Sequence, residues 1–375
     1  MKVASLPDDE SEGEDYLKSA WPPDRPLPLP SWGRCAPLTL HVATVEAYED
    51  LASCMELQVQ QLLQAHHYNT VGNFVRMYEE FAASGETRLE SFFRGYRPPI
   101  TPDHHTCVGL GLELLQRLRA LDPIICPGLA DKLHLAIESP GRYMSEGAPP
   151  LLLAEKEHVL VALRVCVAGR PGVVLLDPGY HVARVVTVMA DGQYPHTGWF
   201  TQKEDNRCLK EYCYTLDSRA QYVVWHIQET SRPSGLSNEM LSLIYVERPF
   251  LSAVECAERR NLVYSFKSLL SRDTKGHVLA GFYFSLEPGE HVTLFCQDDD
   301  GGQLKRKLTF STFLKAEIAE STLELVEQCA EQLRMQTTQE LLTLLSRIAR
   351  IMADPNFMKQ VLEINEKINE IAADN

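Results

Sequence analysis

Upstream of Leu129 the apolar residues recur every three or four positions, whereas downstream they gather in short β-branched runs bounded by Gly or Pro. The first pattern lays an apolar stripe along a helix, and the second suits strands with a buried face. Leu51, Met55, Val59, Leu62 and Leu63 predict a helix over 45–64. Val71, Phe74, Val75, Tyr78 and Phe81 predict another over 69–84. Residues 95–103 carry Pro98, Pro99 and Pro102 and predict a loop, after which a helix starts near Cys107 and runs to Leu121. Strands are expected over 133–137, 158–167, 173–177 and 181–189, with Gly169-Arg170-Pro171-Gly172 as the turn between the second and third. Further strands are expected over 208–215, 222–228, 277–285 and 291–296. Helices first and an antiparallel sheet afterwards make the chain α+β rather than α/β.

From Ala316 the helical period returns. Thr337-x-x-Glu340 has the form of a capping box, and Asp354-Pro355 that of an N-cap followed by Pro at the first helical position. Ile318, Leu325, Val326, Cys329 and Leu333 form one stripe; Val361, Leu362, Ile364, Ile368 and Ile371 form another. Such amphipathic helices are expected to pack on the core or to meet a protein partner. The expected organisation is an acidic, proline-rich and disordered tail over 1–31, an α+β core over 32–310, and C-terminal helices over 311–375. The tail holds Pro22, Pro23, Pro26, Pro28 and Pro30 and is expected to be flexible with polyproline character, with a proline-binding partner as the secondary reading.

Charge narrows the partners. A net charge of -15 over 375 residues argues against a nucleic-acid backbone and against an anionic membrane surface. No run approaches the ~20 apolar residues of a spanning helix. Met1-Lys2-Val3 runs into Asp8-Asp9-Glu10 without an apolar signal core, so a cytoplasmic setting is expected. Ten cysteines are scattered without a C-x-x-C pair, so no metal is expected, and most should be small buried hydrophobes.

One cysteine stands apart. Cys107 follows a proline-bearing loop and opens a long apolar helix, where the positive end of the helix favours thiolate over thiol. Gly109 and Gly111 would let another element or a substrate approach the first turn closely. Downstream, Glu157-His158-Val159 sets a histidine at a strand start, and Leu176-Asp177-Pro178-Gly179 ends the next strand with an acid. A thiol nucleophile needs an imidazole for its proton and a carboxylate to orient that imidazole, so Cys107, His158 and Asp177 are the candidate triad. A hairpin closing at Gly169–Gly172 sets Asp177 opposite about Ala162, so a bulge or slant would be needed to bring it to His158.

The order Cys, His, Asp, with the last two on neighbouring strands, resembles the arylamine N-acetyltransferase and transglutaminase-like superfamily, whose architecture is papain-like. The run Leu176-Asp177-Pro178-Gly179-Tyr180 is similar to the segment carrying the third triad residue in both branches. Phe250, Asn261, Ser265-Phe266 and Gly276-His277-Val278-Leu279 resemble the acetyltransferase's barrel-like second domain. The resemblance spans about residues 40–310. His104-His105-Thr106 stands where the acetyltransferases carry Arg-Gly-Gly, and Val108 where the transglutaminases carry Trp. The resemblance implies acyl transfer from a thioester such as acetyl-CoA or another acyl-CoA to a small-molecule or peptide amine, or amide hydrolysis. An inactive member acting as a protein-interaction module is the alternative.

Several other motifs have plainer readings. His104 and His105 are expected to be solvated loop residues, and His66-His67 a favourable charge at a helix C-terminus. Asp298-Asp299-Asp300-Gly301-Gly302 is expected to be a hairpin turn, and Lys305-Arg306-Lys307 a solvated strand edge. Tyr194-Pro195-His196-Thr197-Gly198-Trp199 reads equally as a cleft wall or as ordinary loop packing.

Overall fold

The computed structural model describes residues 21–122, 125–140, 158–287, 290–298 and 302–373. The acidic part of the expected tail, 1–20, lies outside them, as do Asp299, Asp300 and Gly301. A short strand β1 (Leu40–Val42) leads to helix α1 (Val45–Ala65), whose start is fixed by Thr44 accepting the Ala47 N–H. Strand β2 (Tyr68–Asn69) precedes α2 (Val71–Ser84) and α3 (Leu89–Gly95), and α4 (Cys107–Arg119) follows the proline loop. Eight strands come next: β3 (Leu133–Pro140), β4 (His158–Val167), β5 (Arg170–Leu176), β6 (Val186–Met189), β7 (Phe200–Glu204), β8 (Cys208–Leu216), β9 (Tyr222–Ser231) and β10 (Ser237–Tyr245). A π-helical turn (Ala253–Glu258) runs into α5 (Arg259–Val263). Strands β11 (Phe266–Arg272), β12 (Val278–Ser285), β13 (His291–Gln297) and β14 (Gln303–Thr309) follow, and then helices α6 (Glu320–Gln332), α7 (Thr338–Met352) and α8 (Pro355–Ala373).

The strands form two sheets. The larger runs β6-β5-β4-β3-β10-β9-β8-β7 and curls until β6 approaches β8, giving a half-barrel. It is antiparallel except that β1 lies parallel to the end of β4, Leu40 opposite Val165. The smaller sheet runs β14-β13-β12-β11-β2. Strand β4 is apolar at nearly every position because both its faces are covered. Val159, Val161 and Leu163 meet α1 and α4, while Leu160 and Ala162 meet an aromatic layer of Tyr212, Tyr214 and Trp225.

The C-terminal helices pack on the core. Leu325, Leu345, Phe357 and Val361 belong to one buried cluster with Phe74 of α2 and with Phe282 and Leu294 of the smaller sheet. Both helix-start motifs behave as expected. Thr337 accepts the Glu340 N–H, and Asp354 accepts the N–H groups of Asn356 and Phe357.

Three expectations need correction. Residues 21–31 are not a free tail. Arg94 and Arg259 lie over the Trp21 ring, at 4.7 and 4.9 Å from its centroid. The Arg94 guanidinium donates to the carbonyls of Trp21, Pro22 and Arg25, and Ser31 is bonded through its N–H to Ser252. Proline-rich chain loses little entropy when it docks, and a single aromatic between two guanidiniums anchors it. Next, His181–Val185 is not strand: His181 has φ 62 and turns the chain before β6. Finally, the β4–β5 turn is Ala168-Gly169, with φ 49 and 78, so Arg170 already pairs with Val167. That two-residue turn slides the register, and the ladder reaches Val161 opposite Leu176. One step further sets Asp177 across from Leu160, on the face that His158 shares two residues on. The pair is therefore a diagonal cross-strand pair, and no bulge is required.

Candidate active site

Cys107 is the first residue of α4, and Thr106 is its N-cap, with its hydroxyl accepting the Val108 N–H at 3.2 Å. The thiol thus sits at the positive end of a helix that is buried along Val108, Leu110, Leu114, Leu115 and Leu118. Cys107 is only 1% exposed. Gly111 lets the helix lie against the sheet, since a Cβ there would meet Leu135 at 3.3 Å and Val159 at 3.6 Å. Gly109 makes room for the His105 ring, whose Nδ1 lies 2.3 Å from where its Cβ would stand.

His158 opens β4 and reaches both partners. Its Nε2 is 2.7 Å from Asp177 Oδ1, which also accepts the Tyr180 N–H at 3.0 Å. Cys107 lies beside the same imidazole and favours its protonated form. Burial alone would lower the basicity of His158. The charge and hydrogen bond of Asp177, with the Cys107 contact, outweigh it and raise the imidazole well above the usual histidine range. The Tyr180 ring lies 3.8 Å from the imidazole, centroid to centroid, and limits its tilt. Gly179 closes the arrangement from the other side: a Cβ there would stand 2.4 Å from His158 Cε1 and 3.0 Å from Cys107 Cβ. The three residues picked out in the sequence therefore meet in one buried cluster.

Charged residues that the sequence did not reveal hold this cluster in place. Arg272 is fully buried and donates to the Pro178 carbonyl at 2.6 Å, to His181 Nδ1 at 3.1 Å and to the His66 carbonyl at 2.9 Å. It ties the Asp177 loop to the end of α1. Burial, with Arg272 and His158 beside it, pushes His181 well below the ordinary imidazole range and keeps it neutral. Behind Cys107, Glu258 accepts from the Asn73 amide at 2.7 Å and from the Thr106 hydroxyl, and burial pushes its carboxyl up to about 7. Lys267, also buried, donates to the carbonyls of Asn261 and Tyr264, both at 2.7 Å, and burial lowers its ammonium well below the usual lysine range. The Asn261 side-chain amide donates to Cys107 Sγ at 3.7 Å. In the sequence Glu258, Lys267 and Arg272 look like ordinary surface charges, because nothing local marks a charge that tertiary packing will enclose.

A pocket of about 170 Å³ opens beside His158 and is lined by Tyr68, Tyr180, Asn261, Tyr264, Phe266 and Ser268, among others. Tyr264 and Phe266 stand at its mouth, 41% and 44% exposed. Arg260, the cation in this wall, turns its guanidinium to Asn365 at 2.7 Å and Asn369 at 2.8 Å of α8. Among the described residues no group of three or more His, Cys, Asp or Glu side chains is placed to hold a metal, and no helix is long and apolar enough to cross a membrane.

The remaining candidates fall away from the pocket. His105 is buried, not solvated; its ring lies 4.9 Å from that of His66, and burial lowers it to about 4. His67 is likewise lowered to about 4 by burial, so it supplies no helix-terminal charge at neutral pH. His66 is occupied by the Pro102 carbonyl and the Arg117 guanidinium. Asp298 and Gly302 close the β13–β14 hairpin, and Lys305-Arg306-Lys307 lies on the edge strand β14, both as expected. Tyr194 and Trp199 are exposed, and neither lines the pocket.

No family model and no curated protein matches the sequence. Among solved structures, the chain is similar to the arylamine N-acetyltransferase of Mycobacterium marinum in complex with CoA. That likeness covers 81% of this chain and 99% of that one, at 10% sequence identity and a TM-score of 0.37. At that score it carries no argument about function.

Proposed function

We propose that the chain is a cysteine-dependent acyl-transfer enzyme of papain-like design, with Cys107 as nucleophile, His158 as acid–base and Asp177 as its orienting acid. The observation that carries this is the placement of His158, with Asp177 on its Nε2 at 2.7 Å and with both its ring and Cys107 packed against Gly179. A histidine placed only for packing does not need a carboxylate partner, nor a glycine that makes room for its ring and for the Cys107 Cβ together.

The chemistry follows from those contacts. The Cys107 proton passes to His158, and the sulfur attacks the carbonyl carbon of a thioester or amide. A C–S bond forms as the bond to the leaving thiol or amine breaks, and His158 returns the proton to that leaving group. An amine, or water, then gives its proton to His158 and attacks the acyl-cysteine. That transfers the acyl group and restores the thiol. Asp177, fixed by the Tyr180 N–H, holds the imidazole in the tautomer that serves both half-reactions.

The sequence resemblance suggests an acyl-CoA donor. The pocket accommodates the acyl end of such a thioester, but about 170 Å³ is too little for a nucleotide, and Arg260 is already engaged by α8. The donor's carrier portion would lie outside the pocket, past Tyr264 and Phe266.

Incubation with a small activated ester, followed by peptide mapping, tests the proposal. An acyl adduct on Cys107 that disappears in His158→Ala supports it. Labelling spread over the ten cysteines, or none, would leave the fold as an interaction module.

A further inference from the structure

We infer that Asn261 is a fourth catalytic residue, the side-chain donor that stabilises the oxyanion formed when Cys107 attacks an acyl group. The inference rests on the acyl-transfer proposal and goes beyond it. It names a group outside the Cys, His and Asp set and gives it a separate role.

The first N–H after the nucleophile, that of Val108, is taken by the Thr106 hydroxyl at 3.2 Å. The Asn261 amide, by contrast, reaches the sulfur itself, with Nδ2 3.7 Å from Cys107 Sγ. In the tetrahedral intermediate the oxyanion is carried by the carbon bonded to that sulfur. It falls within the range of an amide so placed, the useful separation being about 2.7–3.1 Å. Asn261 also lines the pocket that His158 lines, so the donor and the acid–base open onto one space.

The segment carrying Asn261 is built to hold that position. Glu258 and Asn261 are three residues apart in continuous helix and so share a face. Glu258 accepts from Thr106 while Asn261 donates to Cys107, so the two contacts fall on consecutive residues at the start of α4. Lys267 clamps the Asn261 carbonyl at 2.7 Å, and Arg260 beside it is tied to Asn365 and Asn369 of α8. Such anchoring leaves the amide little freedom to reorganise, which is what makes a preorganised donor effective.

The test compares two reactions of one sulfur in the full chain. Alkylation by iodoacetamide passes through no oxyanion; acylation by a small activated ester does. In Asn261→Ala and in the similarly sized but donor-free Asn261→Leu, acylation of Cys107 should fall about 10²–10³-fold. Alkylation across pH should stay within about threefold of wild type, and melting should confirm that both variants fold. Equal losses in both reactions would make Asn261 a positioning residue for the thiol and overturn the oxyanion role. Unchanged acylation in either variant would overturn it too, while leaving the Cys107 nucleophile intact. A wild-type chain that alkylates but is not acylated would remove the acyl-transfer proposal, and this inference with it.

Discussion

At the scale of single residues, the site depends on space and on buried charge. Replacing Gly179 with Ala puts a methyl carbon 2.4 Å from His158 Cε1, so the ring must move. A misplacement of that size costs about 10²-fold in rate, so Gly179→Ala should lose acylation of Cys107 by about that factor while its melting temperature shifts little. Glu258 makes a pH-dependent prediction. Its folded carboxyl titrates near 7 because burial penalises the charge, against 4.5 for the free group. The folded state therefore holds the proton more tightly between those values, and this site's contribution to stability is full below pH 4.5 and lost as pH rises to 7. Glu258→Gln should accordingly exceed wild type by a few kcal/mol at pH 8 and lose that advantage at pH 4.5, as read from urea titrations at both pH values. The residues proposed as the triad were legible in the sequence, because a helix start, a strand start and a strand end each leave local marks. Asn261, Glu258 and Arg272 were not legible as a network, because their partners lie far along the chain and only folding shows which charges are enclosed.

At the scale of elements, periodicity located α1, α2, α4 and most of β3 to β9 closely, and the capping motifs fixed α7 and α8. It missed β10 and β11, where apolar and polar residues mix without strict alternation, and α3, whose seven residues are too short to show a period. The error with the largest consequence was two residues in one turn. Taking Gly169–Gly172 as the loop puts Asp177 and His158 out of register, whereas Ala168-Gly169 with both φ positive brings Asp177 within reach of His158. Ala168 tolerates its left-handed conformation at a cost that Asn or Gly would not bear. Ala168→Asn should therefore stabilise the chain by roughly 0.5–1 kcal/mol, measured as a rise in the denaturation midpoint with acylation unchanged.

At the scale of the whole molecule, the site joins two bodies of structure. Cys107, His158 and Asp177 come from α4 and the larger sheet, while Asn261 and Arg272 come from the segment and strand that lead into the smaller one. The helices after residue 311, expected to pack on the core or to meet a partner, share that second core, and α8 reaches back through Asn365 and Asn369 to Arg260. Replacing both asparagines with Ala leaves a buried guanidinium short of its acceptors. This should destabilise the chain by roughly 2–4 kcal/mol. The melting transition would show the loss, and the acylation rate of the surviving fold should fall with it because Arg260 neighbours Asn261. The docked segment 21–31 is a second such tie, since Trp21 bridges Arg94 of α3 and Arg259 of α5.

Gly179 also bears on descent. Its backbone lies outside the left-handed region, so folding by itself places no demand for glycine there. The demand comes from the His158 ring and from Cβ and Cα of Cys107, which a side chain there would meet. A lineage whose chemistry lapsed would be released from that demand at this position before the surrounding core had any reason to change. Under the proposed acyl transfer, a relative of this chain that carries a side chain at 179 is expected to have given up that chemistry while keeping the fold.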